Sequence, residues 1–329
     1  MKELIKKLVE AYGPSGNESE IRDIIRAEVA PHVDEIKVDA LGNLIALKRG
    51  GSKKIMFAAH MDEIGVMITH VDEKGYLRFY PVGGLSPFTL LGNRVVFENG
   101  TMGVIGTEKL ENPKDLSITK MFIDIGACDK QEAETKVRIG DVAAMNREFT
   151  DLGRRLISKA MDDRVACAVL IEALRAVKNS PYDIYAVFTT QEELGLRGAR
   201  VAAYGITPDL GIAIDVTRTG DTPESSIMDV SLGKGPTVKV RDSSLLCTPS
   251  VRRFMESTAK SQGVPYQLEV LEAGGTDAGA IQLTKGGIPA GVMSIPCRYI
   301  HTASEMVDYE DCLNGVKLIT AIMQTKFEA

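Results

Sequence analysis

Apolar side chains at Leu4, Ile5, Leu8, Val9 and Tyr12 recur at helical spacing, and Gly13-Pro14-Ser15-Gly16 stops the stripe. A second stripe, Ile21, Ile24, Ile25 and Val29, predicts a helix from about Asn17 to Val29, closed by Pro31. Ile36 to Asp39 alternates and reads as a strand, with Leu41-Gly42-Asn43 as the turn to a hairpin partner at Leu44 to Leu47. Lys53 to Ala59 ends in an unbroken apolar run, Ile55 to Ala59, the pattern of a parallel strand buried on both faces. From Val66 to Asn146 the texture changes to short alternating runs punctuated by Gly75, Gly83-Gly84 and Asn99-Gly100. That spacing predicts a small barrel or sandwich inserted into the chain.

After Leu156 the α/β pattern returns. Helices are predicted at Val165 to Val177, Ser250 to Gln262 and Tyr309 to Lys326, with a short one opening near Gly275. Strands are predicted at Ile184 to Thr190, Leu210 to Ile214, Thr237 to Val240 and Ile288 to Ile295, with an edge strand at Tyr266 to Val270. The implied organisation is a host domain, 1–65 and 156–329, and an insert, 66–155.

Composition narrows the function. The chain has 329 residues and a formal net charge of −6, which argues against nucleic acid as a partner because phosphate binding needs a basic surface. No run approaches the ~18 apolar residues of a membrane span. The N-terminus is charged and helical in period, unlike a signal peptide. Cys128, Cys167, Cys247, Cys297 and Cys312 are odd in number and scattered, which predicts reduced thiols and a cytoplasmic location.

The candidate chemistry sits where apolar runs end. His60, Glu192-Glu193, Asp215 and His301 each follow a β run, and Asp162 precedes a helix. In open α/β sheets such positions converge at the carboxyl ends of the strands. Two histidines among several carboxylates make a mixed nitrogen and oxygen site suited to Zn²⁺, Co²⁺ or Mn²⁺. Asp62 lies two residues past His60, which places both side chains on one face if the strand persists. It could orient His60 from behind, and each residue alone could equally be a solvated polar strand end. Glu192 and Glu193 point in different directions on an extended segment, which allows one ligand and one base without saying which is which. His32 and His70 read as structural, and Asp163 as facing solvent or pairing with Arg164.

Five stretches resemble, in order, the tetrahedral (TET) aminopeptidases, di-metal exopeptidases related to glutamyl aminopeptidase. They are Ala59-His60-Met61-Asp62-Glu63, Ala160-Met161-Asp162-Asp163-Arg164, Gln191-Glu192-Glu193-Leu194-Gly195-Leu196-Arg197-Gly198-Ala199, Asp215-Val216-Thr217 and Tyr299-Ile300-His301-Thr302. The resemblance implies a zinc-exopeptidase-like α/β fold, a mixed sheet flanked by helices with an inserted small all-β barrel used for oligomerisation. It implies two divalent ions, zinc or cobalt: one held by His60 and Asp215, the other by Glu193 and His301, with Asp162 between them. Glu192 would be the general base and Asp62 the residue orienting His60. Gly274-Gly275-Thr276-Asp277-Ala278-Gly279 would lie near the substrate, and it lacks the pattern of a phosphate loop. Short peptides would be the substrates and twelve subunits, built from dimers, the assembly.

Two other enzymes fit parts of this pattern. Some relatives have been described as endoglucanases, but a glycosidase works with a carboxylate pair and needs no histidine ligands. A metal-dependent deacylase of small amides would use the same ligand set. A non-catalytic scaffold would have no need for an intact Glu192 beside a complete ligand set.

Overall fold

The computed structural model describes residues 1–328. The chain opens with helices α1 (Lys2–Glu10) and α2 (Ser19–Val29) and strands β1 (Glu35–Val38), β2 (Leu44–Lys48) and β3 (Lys53–His60). Strands β4 (Gly65–Val71), β5 (Leu77–Val82), β6 (Arg94–Phe97), β7 (Met102–Thr107), β8 (Met121–Asp124) and β9 (Val142–Met145) follow, with short helices α3 (Pro87–Leu90) and α4 (Lys130–Lys136) among them. Then come β10 (Thr150–Asp151), β11 (Arg155–Ser158), α5 (Met161–Ala176), β12 (Tyr182–Thr189), α6 (Arg197–Ile206), β13 (Leu210–Thr217) and β14 (Thr237–Arg241). The chain closes with α7 (Pro249–Ser261), β15 (Gln267–Val270), α8 (Asp277–Gln282), β16 (Ala290–Arg298), β17 (Glu305–Asp308) and α9 (Tyr309–Gln324).

The large sheet runs β1-β2-β12-β3-β13-β16-β17-β11-β10, and β14 and β15 branch from β16. Its centre, β12-β3-β13-β16, is parallel. Alternation along β3 explains the three layers. Ile55, Phe57 and Ala59 pack toward the main core with α1, α2, α5 and α9, whereas Met56 and Ala58 face α6 and α8. Helix α5 lies across the centre of the main core and is buried along nearly its whole length, and its middle, 165–171, is apolar on all sides.

Strands β4 to β9 close into a six-stranded barrel in the order β4-β5-β8-β7-β6-β9. The barrel has its own core, including Val66, Phe79, Val95, Phe97 and Ile123, as expected of alternating strands with one face inside. His70 is exposed beside a register shift in β4. The barrel begins at Gly65 and ends at Met145. β10 and β11 pair with the edge of the large sheet through β17. Two strands of two and four residues carry too little periodicity to show which sheet they join.

The chain entering the barrel is tied to the large-sheet part by a buried ion pair. Glu63, between β3 and β4, accepts the buried Lys159 ammonium on both carboxylate oxygens at 2.7 Å, and Lys159 directly follows β11. Glu63 also accepts the Gly13 N–H at 3.1 Å. Among the described residues, no helix is long and apolar enough to cross a membrane.

Candidate metal centre

β3, β12, β13 and β16 are parallel, so their carboxyl ends open on one edge. His60 is the last residue of β3, Glu192 and Glu193 follow β12, Asp215 lies near the end of β13, and His301 follows β16. Asp162 comes from the first turn of α5, where Asp162 and Asp163 depart from helical geometry. Together they line a cleft of about 400 Å³.

Two overlapping triads emerge. His60, Asp162 and Asp215 offer ligand atoms within 4.8 Å of one another, and so do Asp162, Glu193 and His301. Asp162 is common to both. Its Oδ1 lies 3.0 Å from His60 Nε2 and its Oδ2 lies 3.4 Å from His301 Nε2. His301 Nε2 is 3.2 Å from Glu193 Oε1. Glu192 belongs to neither triad, and its Oε2 stands 4.0 Å from His60 Nε2.

Asp62 is fully buried and serves more than His60. Its Oδ1 lies 3.6 Å from His60 Nδ1, which is closer to the Asp62 main-chain carbonyl, at 3.1 Å. The carboxylate also accepts the N–H groups of Glu192 and Glu193, at 3.0 and 3.3 Å, and the Ser15 hydroxyl at 2.5 Å. One side chain thereby fixes the β3 end and the turn after β12 in a common frame.

The charge balance of the pocket calls for cations. Burial, then Asp215, pushes the Asp163 carboxyl well above its ordinary range. Burial does the same to Glu192 and Asp215, reinforced by Asp215 beside Glu192 and by Asp162 beside Asp215, and it also raises Glu193. For His60, burial alone would lower the imidazole. The carboxylates of Glu192, Asp162 and Asp62 outweigh that effect and hold it well above its usual value. Glu193 Oε1 is buried and receives no well-aligned hydrogen bond despite its nearness to His301. A cluster that raises its own carboxyl groups, with an orphaned oxygen aimed among imidazole nitrogens, fits divalent cations.

Asp163 departs from the sequence expectation. It neither faces solvent nor pairs with Arg164, and both of its carboxylate oxygens are buried without a partner among the described residues. Arg164 turns away to the carbonyls of Leu8, at 2.7 Å, and Gly13, at 3.2 Å. Adjacent opposite charges suggested a pair, but the guanidinium is needed under the end of α1, where main-chain carbonyls have no helical partner.

Several residues at the site gave no sequence signal. Ser15 sits in an ordinary turn motif. Glu305 lies behind Asp162 and His301. The Gly83-Gly84 corner of the barrel lies against the ligands: a methyl group on Gly84 would come within 2.8 Å of His301 Nδ1, and one on Gly83 within 3.0 Å of Glu193 Oε2. Only the absence of side chains at those two positions could have hinted at so close an approach.

Comparison with known proteins bears on what this cleft does. The pattern of the M42 glutamyl aminopeptidase family matches residues 42–318. The chain is 38% identical over 336 residues to the lysyl aminopeptidase of Pyrococcus furiosus, covering 98% of this chain and 96% of that protein. An aminopeptidase from the archaeon Desulfurococcus kamchatkensis has a solved structure that superposes with a TM-score of 0.94 at 41% identity, over 99% and 94% of the two chains. The TET1 peptidase of Pyrococcus horikoshii, described as able to assemble into a tetrahedron or a large octahedral shell, superposes at 0.89 with 36% identity over 99% of each chain. The chain therefore belongs to the M42 glutamyl aminopeptidase family and is a peptidase hydrolase.

Proposed function

We propose that the protein is a di-metal aminopeptidase that releases N-terminal residues from short peptides. The observation that carries this reading is the pair of triads joined through Asp162, with Glu192 beside them and outside both. His60 and Asp215 would hold one divalent ion, zinc or cobalt, and Glu193 and His301 the other, with Asp162 between. When bound, such ions lower the pKa of a shared water and polarise the scissile carbonyl. Glu192 takes the proton from the attacking water and returns it to the leaving amine. Burial raises its carboxyl above the ordinary range, the direction that favours holding a proton between the two steps. Asp62 keeps His60 and the Glu192 turn in register during that transfer.

The histidines weigh against a glycosidase, which would leave them without a task. The five free thiols suit a reducing, cytoplasmic location. The barrel, 66–155 by the sequence boundary, would carry subunit contacts in a twelve-subunit tetrahedral shell built from dimers. The assembly described for the Pyrococcus horikoshii relative supports this.

The test compares free and N-acetylated forms of one hexapeptide, with and without chelator, by timed mass spectrometry. Stepwise loss of residues from the free peptide, abolished by chelation and restored by Zn²⁺ or Co²⁺, is expected. A deacylase would instead favour the acetylated form and leave the peptide bonds intact. Internal cuts, equal rates on both forms, or full activity in metal-free protein would overturn the proposal.

A further inference from the structure

Glu305 is the first residue of β17 and is 1% exposed. It belongs to neither triad and does not line the cleft. Its Oε2 accepts the backbone N–H of Asp162 at 2.9 Å, and its Oε1 accepts the backbone N–H of His301 at 2.8 Å. These are the main chains of two ligands that lie 139 residues apart in sequence and follow the two strands, β11 and β16, on either side of β17. β17 is fixed between β11 and β16, so the carboxylate is mounted on the sheet itself. His301 has a φ of 63°, in the left-handed region that a residue other than glycine keeps only when its surroundings impose it. The bond to Glu305 is one such constraint.

We propose that Glu305 is a positioning residue, whose two oxygens hold the Asp162 and His301 main chains at the separation that lets both side chains reach one cation.

This inference rests on the di-metal reading. Both partners of Glu305 are donors, and only a carboxylate offers two acceptor oxygens at that spacing. Glutamine has the same shape, but one end of its amide is a donor and would face an N–H. Glu305→Gln therefore keeps the volume and releases one of the two segments. Asp162 is shared by both triads and His301 is in only one, so the Asp162–Glu193–His301 position suffers more. A merely structural role would lower the melting temperature and leave metal binding as it was.

The experiment is a Co²⁺ titration of chelator-stripped protein, followed by visible absorption and by metal analysis of the bound fraction, beside a thermal melt. Wild-type protein is expected to take up two equivalents. In Glu305→Gln one equivalent should bind about 10- to 100-fold more weakly, the usual consequence of losing an outer support, with its absorption band displaced. The melt should stay cooperative. Glu305→Asp keeps both acceptors on a shorter stem and should show a smaller loss in the same equivalent. If the glutamine variant yields no folded protein, the aspartate variant carries the test. Wild-type affinities and bands in either folded variant overturn the proposal. Wild-type protein that binds fewer than two equivalents overturns the di-metal reading instead, so the two failures are distinguishable.

Discussion

Lys239 is fully buried behind the β13 end of the site, and removing its charge gives a sharp expectation. Its Nζ lies 2.8 Å from Glu269 Oε1 and 3.3 Å from Asp242 Oδ2, and both carboxylates are buried as well. At an effective dielectric of ~20 the two attractions are worth roughly 6 and 5 kcal/mol before desolvation is subtracted. Much of that gross gain is offset by taking three charges out of water. The variant is another matter, because Lys239→Met leaves the carboxylates buried without their cation. Breaking a buried pair in this way costs about 3–5 kcal/mol. For a chain of this length that lowers the melting temperature by roughly 4–7 °C. Asp242 keeps other donors, the Ser244 and Leu245 N–H groups at 2.8 Å each and the Ser244 hydroxyl at 2.9 Å. Glu269 keeps only the hydroxyls of Thr217 and Thr237, so it bears most of the penalty. Combining Lys239→Met with Glu269→Gln should therefore recover at least half of the loss.

The pH dependence of the Lys239 effect follows from its sign. Burial would lower the lysine, but Glu269 and Asp242 outweigh it and raise its pKa. Its contribution is then complete below about 10.4, the ordinary lysine value, and is lost only as pH rises through the higher folded value. The deficit should be constant from about pH 6 to 9. Calorimetric melts of the wild type, the single variant and the double variant, at equal subunit concentration, check all three points. A single variant within ~0.5 kcal/mol of wild type, or a double variant that adds to the loss, would refute the reasoning.

Glu192→Gln should retain bound metal and lose kcat by about 10²–10⁴-fold, whereas Glu193→Gln should lose part of its metal. Equal metal loss in both, by elemental analysis, would show the roles to be undivided. Burial would raise Asp221, but the two contacts from Arg298, at 2.9 and 2.8 Å, hold its carboxyl well below the usual range. A depressed carboxylate stabilises above its unfolded pKa of about 4 and ceases to as pH falls through the lower folded value. The gap in melting temperature between wild type and Asp221→Asn should thus be steady from pH 8 to 5 and shrink below about pH 4. Cys128 is exposed while Cys167, Cys247, Cys297 and Cys312 are buried, so a thiol reagent should titrate one cysteine in native protein and five in denaturant. Rapid native labelling of a second thiol would contradict that burial.

The strands that deliver the site were legible because parallel strands buried on both faces have little choice of side chain. Ile55 to Ala59 and Leu210 to Ile214 are apolar without interruption, and the polar residue that ends each one stands at the cleft. The barrel was legible for the opposite reason, since one wet face enforces alternation. What stayed hidden depends on contacts between segments distant in sequence. Glu305 looks like any acid after a turn until β17 is seen to lie beneath both Asp162 and His301. Ser15 and Asp62 are joined only because the loop before α2 runs alongside the end of β3. Asp163 and Arg164 are neighbours in sequence whose side chains part in space. Arg164 instead has the end of α1 to satisfy.

The glycine corner of the barrel constrains how this architecture can have changed over time. Gly83 and Gly84 belong to the insert, yet they form part of the wall against Glu193 and His301. In return Ala303, from the host loop just past His301, is packed into the barrel's core. Neither part can drift in sequence at this seam without the other. A barrel transplanted from a distant relative would have to present a corner equally bare of side chains and a notch for Ala303, or displace His301. The insert is therefore not an interchangeable module. Lineages of such proteins are expected to carry host and barrel as a single inherited unit, with recombination breakpoints falling outside the pair rather than at the neck between them.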